Sequence, residues 1–238
     1  MNLKPTQNKV PKHIALILDG NRRLAKRLML KPWKGHEWGA KKVEKLLGWS
    51  KEIGIKELTL YCFSIENFDR PKRELEYLMK LFKEEFKRLY NDERLEKDKV
   101  KINFIGRIDM FPEEVSESMK KLMDKTKNNN NFTINFAMAY GGRTEVIDAV
   151  KKIAEQVSSG KLNINKINEE TFAKYLYMPD EPELIIRTGG EKRTSNFLIW
   201  QGNYSEWIFL EKLWPEFEKE DLIECIAEYN LRERRFGR

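Results

Sequence analysis

The chain has 238 residues, room for one large domain or two small ones, with 40% hydrophobic residues, 35% charged residues and a net charge of +7. That balance fits an anionic partner (nucleic acid, a membrane surface or phosphorylated metabolites) without choosing among them. Two cysteines, Cys62 and Cys225, exclude a disulfide framework and favour a reducing cytosol; no apolar run approaches the roughly 18–20 residues of a membrane span, and residues 1–13 lack a signal-peptide core.

Met1 to Lys12 reads as a flexible basic lead, and 13–238 as one domain. The first predicted strand, His13 to Leu18, is a run apolar enough to be buried on both faces, as in a parallel sheet. It runs into Asp19-Gly20-Asn21-Arg22-Arg23. A carboxylate at a strand's carboxyl end beside two forked cations suits Mg²⁺ and a phosphorylated ligand. These residues fit equally an ordinary strand end with an Asx-turn and solvated arginines. Pro32 and Gly35 predict a loop before His36, and a helix follows from Glu37 to Ile53, stopped by Gly54.

The second strand, Glu57 to Phe63, runs into Ser64-Ile65-Glu66-Asn67-Phe68-Asp69-Arg70-Pro71, a junction like the first. Pro71 opens a long helix to Asn91 whose apolar strip, Leu75 to Leu89, is core or the lining of an elongated pocket. The charges between Lys83 and Lys101 read as a solvated face. Strand three is Lys101 to Ile105, followed by a helix from Pro112 to Lys127 and a polar loop, Asn128 to Asn131. Strand four, Phe132 to Ala139, ends in Tyr140-Gly141-Gly142-Arg143, and the next helix aligns Val146, Val150, Ile153 and Val157. Asn168 caps a short helix reaching Tyr177. Strand five, Glu183 to Arg187, precedes Thr188 to Asn196; Phe197 to Trp200 reads as helical. Strand six is Glu206 to Leu210, and a final helix starts at Phe217. The alternation predicts an α/β fold: a single domain with a central, mostly parallel six-stranded sheet flanked by helices.

Polar clusters follow strands one, two, four and five, whose carboxyl ends share one edge of a parallel sheet. Asp19, Asn21, Arg22, Arg23, Ser64, Asn67, Arg70, Arg143, Arg187, Arg193 and Ser195 converge there, and so many arginines beside Gly-Gly turns suit a diphosphate. No G-x-x-x-x-G-K-[ST], no G-x-G-x-x-G after strand one and no G-x-S-x-G is present. Arg143 reads as a partner for a carboxylate, and Phe63, Phe68, Met79, Phe82, Phe132 and Met138 read as core before tunnel lining.

HIALILDGNRR (13–23), GH (35–36), LTLYCFSIENFDRP (58–71), YGGR (140–143), LIIRTGGEKRTSNFLIWQ (184–201), LWPEF (213–217) and RERRFG (232–237) together resemble the cis-prenyltransferase family, the undecaprenyl and dehydrodolichyl diphosphate synthases. The resemblance implies repeated condensation of isopentenyl diphosphate onto an allylic prenyl diphosphate, with Mg²⁺ and an apolar tunnel for the growing chain. It implies catalytic roles for Asp19, Asn67 and Ser64 and a metal role for Asp19 and Glu206. It implies that Gly20, Asn21, Arg22 and Arg23 bind the allylic diphosphate with His36 and Arg70 nearby, and that Leu24, Ser64, Ile65, Glu66, Phe68 and Thr194 contact substrate. Arg187, Arg193 and Ser195 match the isopentenyl diphosphate site, and Arg235 and Gly237 would reach a partner subunit's site in a homodimer. An amide is a poor base, so Asn67 would orient a water or diphosphate oxygen rather than take the proton. A long apolar product implies peripheral membrane contact of an otherwise cytoplasmic protein, and arginines at strand ends rather than on one exposed face imply no nucleic-acid partner.

Arg22 stands where bacterial members carry glycine, Leu24 where they carry tryptophan and Ala139 where they carry asparagine; the Arg22 and Ala139 variants resemble archaeal and eukaryotic members, which implies an archaeal-type enzyme with farnesyl or geranylgeranyl diphosphate as primer. Pro32 falls near a phosphate-binding arginine of the family, leaving Lys31 or Lys34 to supply that charge. Three rivals stand beside this reading: a non-catalytic prenyltransferase-like subunit, a basic nucleic-acid-binding protein and a trans-prenyltransferase. The last lacks its paired Asp-Asp-x-x-Asp motifs here.

Overall fold

The computed structural model describes residues 9–232. Residues 1–8 of the expected lead, and Arg235 and Gly237, lie outside the described residues. Residues 9–12 are tied to the body and correct the reading of a lead flexible to Lys12. Lys9 N donates to Asn230 Oδ1 (2.9 Å), and Lys12 O accepts from Lys56 N and Glu57 N (2.9 Å each).

Six strands form one sheet: β1 (His13–Ile17), β2 (Glu57–Ser64), β3 (Val100–Ile105), β4 (Phe132–Tyr140), β5 (Leu184–Arg187) and β6 (Glu206–Phe209). Their order is β3-β4-β2-β1-β5-β6, and every pairing is parallel. All five residues of β1 are buried. Alternation sends Ile14 and Leu16 into one core and Ala15 and Ile17 into the other, so the strand is covered on both faces. The helices are α1 (Asn21–Arg27), α2 (Lys34–Ile53), α3 (Lys72–Tyr90), α4 (Arg94–Lys97), α5 (Glu113–Thr126), α6 (Gly142–Ser158), α7 (Glu169–Ala173) and α8 (Lys219–Leu231). Gly54 stops α2 at φ 95°, and Asn168 caps α7 through Thr171 N (2.8 Å).

Three local expectations change. The stretch after Asp19 is helical from Asn21, because Leu24 and Ala25 find a core to enter. On α6 the buried stripe is Glu145, Ala149 and Ile153, which leaves Val150 exposed. Residues 197–200 are not helical: Ser195, Asn196 and Leu198 take left-handed conformations (φ 50°, 61° and 44°) that no helix admits. Ala139 is also left-handed (φ 47°), a conformation asparagine adopts more readily, so alanine here carries a strain of about 1 kcal/mol.

Buried His13 on β1 gives the fold a pH dependence. Its Nε2 lies 2.8 Å from Thr59 Oγ1, and burial, outweighing the nearby Glu183 charge, pushes the imidazole from the usual 6.5 down to about 4. The unfolded chain therefore takes up a proton that the folded chain refuses, so stability is full above pH 6.5 and falls as pH drops towards 4. The ceiling of that loss is about 3 kcal/mol. Denaturant melts across this window should show His13→Asn with a shallower slope than the wild type; equal slopes would remove His13 as the cause.

Candidate active site

The carboxyl edge of the sheet carries the polar junctions. Asp19 lies two residues past β1, and its backbone is fixed from three sides. Asp19 N donates to Thr188 Oγ1 (3.1 Å), Thr188 Oγ1 donates to Asp19 O (2.8 Å), and Trp214 N donates to the same carbonyl (2.9 Å). Gly20 follows at φ 115°, where a Cβ would come within 2.8 Å of Leu213 Cβ, so only glycine fits. Trp214 is fully buried and its indole N–H donates to Gly39 O (3.0 Å), locking this turn to α2.

Asp19 joins two arginines from different elements. Its Oδ1 lies 3.0 Å from Arg23 on α1, and its Oδ2 accepts from Arg187 at the end of β5 (2.9 Å). Arg187 is only 3% exposed. It also donates to Ser195 Oγ (2.7 Å) and to Arg193 O, and its Nε is buried without a protein acceptor. Those bonds hold the strained 195–198 loop, together with Tyr61 OH to Ser195 O (3.4 Å) and Gly142 N to Asn196 O (2.7 Å).

A second station forms around Glu74 in the first turn of α3. Glu74 is 3% exposed, yet Arg70 (3.2 Å), Arg22 (3.6 Å) and His36 (3.8 Å) all surround its Oε1. The contact with His36, then the charges of Arg22 and Arg70, hold this carboxyl below its ordinary range. Burial holds His36 below its ordinary value, which makes it a neutral imidazole at pH 7. Between the stations, Asn67 Oδ1 accepts from Ser64 N (3.1 Å), leaving the amide NH₂ as the free face of that side chain.

Both stations open into one cleft of about 1960 Å³. From its polar head the cleft runs between α2 and α3 and along β4, past Val43, Leu47, Phe82, Phe86, Met138, Phe136, Ile134 and Phe132. From Met138 to Phe132 that wall is about 20 Å long. At the far end stand Glu44, Lys51, Arg88, Arg94 and Asp98. Glu44 pairs with Arg88 (3.0 Å) and Arg94 (2.7 Å), and Lys51 pairs with Asp98. The charges between 83 and 101 stay largely exposed, as expected of a solvated face, and some of them border the far end of the cleft.

Of the residues singled out in the sequence, Asp19, Gly20, Asn21, Arg22, Arg23, His36, Ser64, Glu66, Asn67, Arg70, Arg143, Arg187, Thr194 and Ser195 line this cleft. Asn21 donates to Leu18 O (3.2 Å) and its Oδ1 is buried without a partner. Arg143 has no ion-pair partner among the described residues, against the expectation of a carboxylate neutraliser. Phe63, Phe82, Phe132 and Met138 belong both to the core and to the cleft wall, whereas Met79 is core alone.

Several residues expected at the site do not line this cleft. Leu24 is buried beneath α1, whose Asn21, Arg22, Arg23 and Lys26 reach the cleft instead. Ile65 and Phe68 turn to the core, Phe68 edge-on to Phe63 at 4.9 Å. The Arg193 guanidinium is drawn off the wall by Glu191 (2.5 Å). Glu206 stands at the opposite edge of the sheet and pairs with Arg232 (3.1 Å). In register Glu206 faces Leu184, which faces Ile14, five residues before Asp19. Along the strands that is about 16 Å, so Asp19 and Glu206 of one chain cannot share a metal ion. Glu74, Thr188 and Trp214 were missed. The spacing of Glu74 from Arg70, i to i+4 at a helix start, was the signal available for the first.

The profile of the prenyltransferase family described as undecaprenyl diphosphate synthase matches residues 17–237. A tritrans,polycis-undecaprenyl-diphosphate synthase (geranylgeranyl-diphosphate specific) of Pyrococcus horikoshii is 49% identical over 231 residues, 96% of this chain and 88% of the relative. A ditrans,polycis synthase of Micrococcus luteus, farnesyl-diphosphate specific, is 47% identical over 96% of this chain and 92% of its own. The crystal structure of lavandulyl diphosphate synthase from Lavandula x intermedia, in complex with dimethylallyl diphosphate, superposes with a TM-score of 0.88 at 32% identity, covering 96% of this chain and 98% of that one. With a profile match across nearly its whole length and relatives at almost half identity, the chain belongs to the cis-prenyltransferase family, as a member of archaeal type.

Proposed function

We propose that the chain condenses isopentenyl diphosphate repeatedly onto an allylic prenyl diphosphate, forming a cis double bond at each addition and releasing a long-chain polyprenyl diphosphate. The observation that carries this reading is the pairing of two cationic stations in the head of one cleft whose body is apolar. Arg22, Arg70 and neutral His36 suit the allylic diphosphate, and Arg187 with Ser195 suits isopentenyl diphosphate. Asp19 lies with the Arg187 station and is bonded to Arg23 as well. In the reaction the allylic C–O bond breaks with its electron pair leaving on diphosphate, the double bond of isopentenyl diphosphate supplies the new C–C bond, and a proton departs. Arginines around the leaving oxygens offset charge that develops there. The free NH₂ of Asn67 can orient a diphosphate oxygen to receive the proton.

The donor chemistry fits Mg²⁺. Asp19 is the one carboxylate here open to the cleft and bonded to both Arg23 and Arg187, and no group of three or more His, Cys, Asp or Glu able to hold an ion by itself occurs among the described residues. An ion that keeps its waters and binds through one carboxylate plus substrate phosphates matches that set. When bound, it would add positive charge at the departing diphosphate. The reading includes a cytoplasmic homodimer with peripheral membrane contact, its Arg235 and Gly237 serving the neighbouring subunit. Arg22 and Ala139, together with the specificity in the name of the archaeal relative, support geranylgeranyl diphosphate as the primer.

Purified chain incubated with Mg²⁺, labelled isopentenyl diphosphate and either primer should give butanol-extractable polyprenyl product, with the higher kcat/KM on geranylgeranyl diphosphate. Absence of product with both primers would sink the reading, and a preference for the farnesyl primer would sink only its finer part.

A further inference from the structure

The end of α1 carries a feature that the catalytic stations do not use. Leu28, Met29 and Leu30 are 51%, 95% and 45% exposed, three consecutive large apolar side chains in water. They are held out by a defined turn: Met29 N donates to Lys26 O (3.0 Å) and Leu30 N to Ala25 O (2.8 Å), the two bonds of a Schellman motif. Met29 occupies the left-handed position of that motif, at φ 55°, where glycine is the usual residue. A bulky side chain therefore sits in a strained position and gains almost no packing within the chain.

The surroundings are basic. From 22 to 36 the sequence holds Arg22, Arg23, Lys26, Arg27, Lys31 and Lys34 and no carboxylate. Arg27 pairs with Glu216 and Lys34 with Glu37 (2.8 Å), whereas Lys26 and Lys31 have no carboxylate partner among the described residues. Lys26, Met29, Leu30 and Pro32 also belong to the wall of the substrate cleft, so the tip stands at its mouth. No described helix is long and apolar enough to cross a membrane, which leaves a surface contact as the mode this geometry offers.

We infer that the 26–34 turn is a docking element for an anionic lipid bilayer. Leu28, Met29 and Leu30 enter the acyl boundary while Lys26 and Lys31 meet the headgroup charge. Its use, passing a long prenyl chain from cleft to bilayer without crossing water, rests on the chain-elongating reading above; its existence does not. Full-length protein is mixed, without substrates, with phosphatidylcholine vesicles and with vesicles in which a third of the lipid is phosphatidylglycerol, and bound protein is recovered by flotation. Wild type should float with the anionic vesicles and be released by salt. Leu28→Ser with Met29→Gly should bind about tenfold more weakly. Met29→Gly suits the left-handed position, so an unchanged melting temperature separates lost docking from lost fold. Lys26→Gln with Lys31→Gln should abolish the preference for anionic over neutral vesicles.

A probe on Met29→Cys should shift to the blue only when anionic vesicles are added. Wild-type binding by these variants, no binding by wild type, or a probe shift that follows protein concentration without lipid, the mark of a second copy covering the tip, would each overturn the inference. Prenyl transfer measured in detergent is a separate reading, so a failure here leaves the catalytic assignment standing, and the reverse.

Discussion

Asp19→Ala should lower kcat for prenyl transfer by about 10³-fold, with the fold intact and the KM for isopentenyl diphosphate little changed. The turn survives because its backbone is held independently of the carboxylate, by Trp214 N (2.9 Å) and by the Thr188 hydroxyl (2.8 Å). Arg187 also survives, since it keeps Ser195 Oγ (2.7 Å) and Arg193 O after losing Asp19. What disappears is the one anionic group that joins Arg23 to Arg187 at the head of the cleft. Asp19→Asn keeps the shape without the charge and should be nearly as slow, which separates charge from packing. Steady-state assays with labelled isopentenyl diphosphate, beside thermal melts of both variants, make the measurement. Turnover within a few-fold of wild type would take Asp19 out of the chemistry.

Glu74→Ala has a different expected signature. Arg70, Arg22 and His36 lie within 3.2, 3.6 and 3.8 Å of one carboxylate oxygen, and removing it leaves them facing one another. A fully buried pair broken in this way costs about 3–5 kcal/mol. Half-exposed Arg22 is screened by water, so the expected loss here is about 2 kcal/mol. The three groups then spread, and the KM for the allylic primer should rise by about tenfold or more while the KM for isopentenyl diphosphate, bound at the Arg187 station, moves little. Glu74→Gln, which retains a hydrogen-bond acceptor, should recover part of the stability and less of the KM. A variant whose two KM values rise together would show that Glu74 supports the whole cleft and not the allylic station.

These two residues differ in how visible they were. Asp19 was legible because an apolar run ending in an acid, a glycine and two arginines names a strand end, and in a parallel sheet such ends face a cleft. Glu74 was not, because in the sequence it is one acid among many on a charged helix. Only the tertiary arrangement that brings His36 of α2 and Arg22 of α1 to it distinguishes it from its neighbours. That Leu24, Ile65 and Phe68 do not line the cleft has a related reason. They sit inside matching motifs, but motif membership does not state which side of a short helix faces the cleft.

The sequence by itself determined the strand and helix alternation, the edge of the sheet at which the polar junctions meet, and the residue types that gather there, because period, turn chemistry and strand direction are local. Tertiary structure alone decided three other things. Register placed Glu206 at the far edge, about 16 Å along the strands from Asp19, since pairing with β5 is a property of two distant segments. Helix packing set the still exposed charges Arg88 and Arg94, paired with Glu44 of α2, at the end of the cleft, since the partner of a solvated charge is a distant segment. The course of the chain after α1 held Met29 in the open at φ 55°, since a residue's exposure is set by what fails to pack on it, and that is written nowhere in its neighbours.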